Sequence, residues 1–247
     1  MKYAFYDTTV PQEKRQETNE KLLYLIDSGK AENYGISSDD IYNLYTGDGG
    51  LHGLRRQDYE NYASYSEAKK GIENGQFFTP PMLCRLVAEA LSPPQDAAVA
   101  DLACGAGAFF NFMPAESNLY GCELDIKAYK VARYLYPRAN LVNGDIRSYQ
   151  PSVRFDYVVG NPPYNLRWWV DDDEEILSQL YYCRKAAELL KSFGILAMIV
   201  PASFLSDDFS DGTSIREMEE RFSFLGHVAL PANAFSSLGV RHYPVKL

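Results

Sequence analysis

From Gln76 onward the chain alternates short apolar runs with amphipathic stretches, and this alternation limits its fold more than any other feature. The runs are "AAVADLAC", "NLYGCEL", "ANLVN", "FDYVVG", "GILAMIVP" and "FLGHVALP". Strand–helix–strand alternation of this kind predicts a doubly wound, mostly parallel α/β sheet with helices on both faces. Three acids punctuate it: Asp101, Glu123 and Asp145 lie 22 residues apart, each ending or following an apolar run. Each therefore falls at the carboxyl edge of a successive strand, the edge where open α/β sheets bind ligands.

The segment before this region differs. Residues 1–74 are polar and tyrosine-rich and predict a helical N-terminal segment, with "QEKRQETNEKLLYLIDSG" and "SDDIYNLYTG" each closing on a glycine. In "QDYENYASYSEAKKG", Tyr59, Tyr62 and Ala63 share a helix face near Ala68, which predicts packing between helices. At 247 residues and 46% hydrophobic composition, the chain suffices for one large domain or a domain with a small appendage. No apolar run is long enough to span a membrane, and "MKYAFYDTTV" lacks the layout of a signal peptide. Four cysteines without a Cys-x-x-Cys pair, and three histidines, argue against zinc or a disulfide scaffold and for a reducing cytoplasm. No metal is expected.

Two turns concentrate the chemistry. In "DLACGAGAFF" (101–110), Gly105 and Gly107 let the backbone turn tightly and approach a ligand between a strand and a helix. The stretch is not the dinucleotide fingerprint, because position 110 is Phe. Glu123, 18 residues after Gly105, falls where an acid at the second strand tip accepts from ribose hydroxyls. Asp145 closes the third strand, in reach of an adenine amino group. An acidic edge of this kind suits a ligand with ribose and adenine but no phosphate better than NAD. The second turn is "VGNPPY" (159–164), where two prolines remove two backbone donors and fix two φ angles. Taken alone it reads as a strand closed by a sharp turn.

Together, "GQFFTP" (75–80), "DLACGAG", "CELD", "NGDI" and "NPPY" resemble, in order and spacing, the S-adenosylmethionine-dependent adenine-specific (N6) DNA methyltransferases of restriction–modification type. The resemblance covers roughly residues 75–240. It implies Thr79 at the methionine end of S-adenosylmethionine, with Phe78 also on the cofactor. It implies Asp101, Cys104, Gly105 and Gly107 around that same end, Glu123 on the ribose, Asp145 on the adenine and Ile146 packed on the ring. Leu102 and Ala103 stand where family members often carry a proline. The helical segment in front is similar to modification subunits of restriction systems.

The same resemblance gives "NPPY" a task. The exocyclic amine of adenine is a poor nucleophile because its lone pair is delocalised into the ring. The side-chain oxygen of Asn161 and the carbonyl of Pro162 each accept one of its hydrogens, and Pro162 and Pro163 hold both acceptors rigid. Tyr164 is expected to stack on a flipped adenine, with Phe235 of "LPANAF" on its other face.

Other glutamine-amide and RNA-base methyltransferases share this motif, so protein and RNA substrates, or a non-catalytic cofactor-binding subunit, are the alternatives. With 24 basic against 33 acidic residues and a net charge of −9, the target-recognition region or subunit is expected outside this chain. The catalytic domain, 75–247, is expected to stop within its last strand, with "FSFLGHVALP" as the sixth strand and "RHYPVKL" beginning an antiparallel seventh. The acids of "WWVDDDEE" (168–175) are expected to open the helix that follows, as a helix dipole favours.

Overall fold

A computed structural model describes residues 1–5, 14–46, 59–64, 78–170, 174–206, 212–235 and 244–247. The apolar runs form β1 (Val99–Asp101), β2 (Leu119–Glu123), β3 (Asn140–Asn143), β4 (Phe155–Gly160) and, later, β7 (Leu190–Met198). These five pair in the order β3-β2-β1-β4-β7, and every pairing is parallel. Asp101 lies opposite Gly121 of β2 and Val159 of β4, so the carboxyl ends of the strands come into line at one edge.

Alternate residues of each strand feed opposite faces. Val99 and Val159 join one hydrophobic cluster, while Ala100 and Val158 join the other. The first cluster takes in α1 (Arg15–Asp27), α2 (Ser38–Thr46), α3 (Pro81–Leu91) and α4 (Ile126–Leu135), with Leu22, Leu25, Ile41, Tyr42 and Tyr45 among its members. The second lies under α5 (Ser178–Leu189) and α6 (Gly212–Arg221). Pro80 and Pro81 open α3, where a missing N–H costs nothing. Asp125 caps α4 by accepting from the Lys127 N–H at 2.9 Å.

The N-terminal residues are built into this core. The side chain of Asn111 pairs with the backbone of Tyr3 on both sides, donating to its carbonyl at 2.8 Å, and Asn43 donates to the Ala4 carbonyl at 2.9 Å. The N-terminal helices thus share the apolar cluster of the sheet. Tyr59 lies in a bend and Tyr62 is largely exposed, which departs from the expected packed helix face; Ala68 lies outside the described residues.

Two further expectations change. The acidic stretch does not open a helix: Glu175–Leu177 form β6, which pairs antiparallel with β5 (Arg167–Trp169), and α5 begins only at Ser178. Aromatic and β-branched residues explain this, since Trp168 and Ile176 face one another across the hairpin and both join the second cluster. Residues 171–173 lie outside the described residues. The sixth apolar run forms no strand of the main sheet and contributes one bridge, between Ala229 and Lys246. Gly226, at φ +152°, breaks the run, and Phe224 and Leu225 are 79% and 81% exposed. Still, β9 (Val245–Lys246) pairs antiparallel with β8 (Val200–Pro201), while Leu230 N–H donates to Val245 at 3.0 Å on the other side. The short C-terminal strand therefore lies between the fifth-strand extension and the sixth run. Among the described residues, no helix is long and apolar enough to cross a membrane.

Gly107 is the glycine on which the first turn most depends. Its φ is +82°, and an added Cβ would sit 2.6 Å from the Tyr136 ring, which is fully buried. Gly107→Ala is expected to destabilise the fold by about 1–3 kcal/mol, from left-handed strain plus overpacking. Urea unfolding monitored by circular dichroism measures it.

Candidate active site

The glycine turn leaves β1 at Asp101 and is tied to β2 by two bonds. The Cys104 N–H donates to the Cys122 carbonyl at 3.0 Å, and the Gly105 N–H donates to Glu123 Oε2 at 2.7 Å. The other oxygen of Glu123 accepts from the Asp125 N–H at 2.7 Å, so one buried carboxylate holds both the turn and the entry to α4. Burial pushes its pKa up against the pull of those N–H donors. A Cβ on Gly105 would meet the Phe78 ring at 3.2 Å; Phe78 is in turn packed on Tyr45 of α2 at 5.3 Å.

Above this edge lies a cleft of about 330 Å³. Of the residues predicted from sequence, it brings together Phe78, Thr79, Asp101, Cys104, Gly105, Glu123, Asp145, Ile146, Asn161 and Pro163. Gly107, Pro162, Tyr164 and Phe235 are not in its wall. Gly107 turns away towards Tyr136, as described above. Phe235 is buried in the first hydrophobic cluster, and Pro162 is buried behind the tip. Tyr164 packs against the same cluster, and its hydroxyl reaches both Asn161 Oδ1 and the Ile199 carbonyl, the latter at 3.1 Å.

Asp101 is 2% exposed, and its surroundings went unnoticed in the sequence. The hydroxyl of Tyr182, from α5, accepts from the Leu102 N–H at 2.9 Å and donates to the Val159 carbonyl at 2.7 Å. It also lies 3.3 Å from Asp101 Oδ1. One phenol therefore joins the ends of β1 and β4. It fits because residue 160 is glycine: a Cβ there would sit 2.2 Å from the Tyr182 oxygen. Burial pushes the Asp101 carboxyl up to about 7. Among the described residues its partners are the Ala103 N–H and this phenol, with no cation beside it.

The third acid is different. Asp145 caps the following turn through the Arg147 N–H at 2.8 Å, and the Arg147 guanidinium grips both carboxylate oxygens. That hydrogen bonding, foremost among the causes, holds the Asp145 carboxyl below its usual range. Arg147 also donates to the Trp169 carbonyl at 3.2 Å, fastening the β5–β6 hairpin over the cleft. Trp168 of that hairpin lines the cleft and packs edge-on against Tyr181. Arg147 and Trp168 escaped the sequence reading; the "DIR" spacing, which lets an arginine fold back on the acid, was the available signal for the first.

Five parallel strands in this order, with glycine turn, acids and ligand cleft at their carboxyl ends, define a class I S-adenosylmethionine-dependent methyltransferase fold. The chain belongs to the N-6 DNA methylase family, whose profile matches residues 57–243. A type II methyltransferase of Paramecium bursaria Chlorella virus XZ-6E is 26% identical over 183 residues, covering 70% of this chain and 48% of the relative. A type II methyltransferase of Thermus thermophilus is 29% identical over 198 residues, covering 69% and 45%. The chain thus spans about half the length of the curated relatives it matches. The methyltransferase subunit of a type I restriction–modification system from Streptococcus thermophilus has the same fold, with a TM-score of 0.55 and 17% identity, covering 100% of this chain and 66% of that one.

The cofactor of this family and fold is S-adenosylmethionine, and the residues present fit it. Among the described residues no cation lies beside the buried Asp101 carboxylate, which suits a cationic ligand end, and Thr79 and the Gly105 cradle line the same cleft. Glu123 fits the ribose, and Asp145 with the buried Ile146 fits the adenine.

The raised Asp101 pKa has a sign that can be tested. The folded state keeps the proton that the unfolded chain loses near 3.8, so this group's contribution to stability is full below that pH. It declines as pH rises to about 7 and is flat beyond. The melting temperature of Asp101→Asn relative to the unsubstituted protein is therefore expected to climb across that window in the absence of cofactor. Scanning calorimetry at stepped pH measures it.

Proposed function

We propose that this chain carries the catalytic domain of a DNA adenine-N6 methyltransferase in a restriction–modification system. The observation that carries the reading is the position of Asn161: it follows the last residue of β4 directly and lines the same cleft as Asp101, Glu123 and Asp145. S-adenosylmethionine supplies, when bound, a methyl group already activated by its sulfonium. The rest of the task falls to the chain. Asn161 Oδ1 and the Pro162 carbonyl accept the two hydrogens of the target amine, which draws them out of the ring plane and frees the nitrogen lone pair. Both acceptors are rigid, so little reorganisation accompanies the reaction. Among the described residues nothing donates to the Pro162 carbonyl. Tyr164, anchored by its hydroxyl on Asn161 Oδ1 and the Ile199 carbonyl, supplies the stacking face for a flipped adenine, whereas Phe235 is buried in the first hydrophobic cluster.

Target recognition is proposed to come from outside this domain, because 24 basic residues against 33 acidic ones provide no broad phosphate-binding face. Partnership with a recognition region or subunit is supported by the likeness to methyltransferase subunits of type I restriction–modification systems. The cytoplasm suits the four free, buried cysteines, which stay reduced there.

Methyl transfer from labelled S-adenosylmethionine to adenine-containing DNA, to RNA and to protein separates this reading from its alternatives; label on RNA or protein but not DNA would overturn it. Asn161→Ala is expected to lower turnover about a hundredfold, corresponding to roughly 3 kcal/mol of lost transition-state stabilisation, while the cofactor Kd stays nearly unchanged. Glu123→Ala is expected to weaken cofactor binding by about 1–3 kcal/mol, read by calorimetric titration.

A further inference from the structure

The tip after β4 is anchored in part by the Tyr164 hydroxyl, which reaches Asn161 Oδ1 and the Ile199 carbonyl. Pro162 and Pro163 carry no N–H, and Asn165 stands at φ +57°, in the left-handed region. A second set of bonds comes from the first turn of α5. Ser178 Oγ donates to the Pro163 carbonyl at 2.6 Å, and the Ser178 N–H donates to the Leu166 carbonyl at 2.8 Å. The Gln179 amide closes a two-bond pair with Asn165: it accepts from the Asn165 N–H at 2.9 Å and donates to Asn165 Oδ1 at 3.0 Å. One helical turn later, Tyr182 donates to the Val159 carbonyl at 2.7 Å. Residues 159, 163 and 165 flank Asn161 and Pro162 on both sides, so a single helix face holds the tip from behind.

Burial gives these contacts weight. Ser178 and Gln179 are 0% and 2% exposed, and polar side chains so deeply buried are costly unless their bonds are made. Helix capping does not explain the serine: the N-cap is Leu177, which makes no side-chain cap bond, and the Ser178 hydroxyl is turned to Pro163. Neither Ser178 nor Gln179 lines the cofactor cleft.

We infer that Ser178 and Gln179, together with Tyr182, are positioning residues that set the two amine acceptors, Asn161 Oδ1 and the Pro162 carbonyl, in their working geometry. The inference rests on the proposed methyltransferase function, and it assigns the first turn of α5 to the target-base side of the reaction rather than to the cofactor side.

The test compares Ser178→Ala and Gln179→Met, the latter close to glutamine in size but unable to form the amide pair. Three quantities are measured: single-turnover methylation of adenine-containing DNA, cofactor Kd by calorimetry, and hydrogen exchange at the Asn165 amide. Each variant is expected to lose tenfold or more in single-turnover rate with cofactor Kd within twofold of the parent, and Gln179→Met to exchange the Asn165 amide at least tenfold faster. Turnover within twofold of the parent in both variants overturns the inference. So does a loss of cofactor affinity equal to the loss of turnover, which would place the role in the cofactor site. Should the parent, assayed together with its recognition region or subunit, methylate no adenine, it is the proposed function that fails; the clamp is then read from exchange alone, where an unchanged Asn165 amide in Gln179→Met overturns it and a faster one supports it.

Discussion

The pairing of β1 with both β2 and β4 is the constraint on which the rest of this molecule depends. Strand order reverses there: the chain winds outward through β2 and β3 on one side, then returns to place β4 and β7 on the other. At such a reversal the turns leaving neighbouring strands diverge, and a crevice opens at the carboxyl edge. Parallel register then decides what faces that crevice. Asp101 and Glu123 end their strands, Asp145 follows β3 by two residues, and Asn161 follows β4 directly. Residues separated by up to 60 positions in the chain thus become the walls of one site.

Electrostatics at this edge is set residue by residue. The three carboxylates sit in three settings: Asp101 is buried with no cation beside it among the described residues, Glu123 is buried on backbone N–H groups, and Asp145 is gripped by Arg147. The first two are pushed up by burial, whereas the third is held down by its guanidinium. A ligand with a cationic end and a neutral nucleoside is compatible with these settings. The acidic edge and the net charge of −9 therefore agree: the domain is built around its cofactor, and on the proposed reading DNA must be held by other surfaces.

Rigidity at the tip has several sources, the Tyr164 hydroxyl on Asn161 and Ile199 among them. The prolines stiffen it locally, but stiffness alone sets no direction. Direction comes from Tyr182, whose hydroxyl joins the ends of β1 and β4, and from the first turn of the same helix. That helix is in turn fastened to α6, where Arg184 meets Glu217 at 2.5 Å. The site is thus coupled to the second hydrophobic cluster through one helix and to the first through Phe78 and Tyr45.

The sequence by itself determined the α/β class, the positions of the five main strands and the residues at their carboxyl edge, because alternation and turn chemistry are local properties. It also singled out most of the residues from Phe78 to Ile146 that line the cleft, since each belongs to a motif of a few consecutive positions. Only the tertiary structure decided the rest. Tyr182 sits in "QLYYC", where nothing separates it from a packing tyrosine; its role exists because Gly160, 22 positions earlier, leaves room for its hydroxyl. Arg147 and Trp168 share the cleft through a hairpin whose charge pattern favoured a helix, and cross-strand burial of Trp168 with Ile176 outweighed that preference. The sixth apolar run shows the limit from the other side: its composition predicts a strand, yet among the described residues its strand-like pairing is confined to the C-terminal segment around the short β9. Local pattern fixes what a segment can become, but long-range partners fix what it does, and those partners are brought together only by the folded sheet.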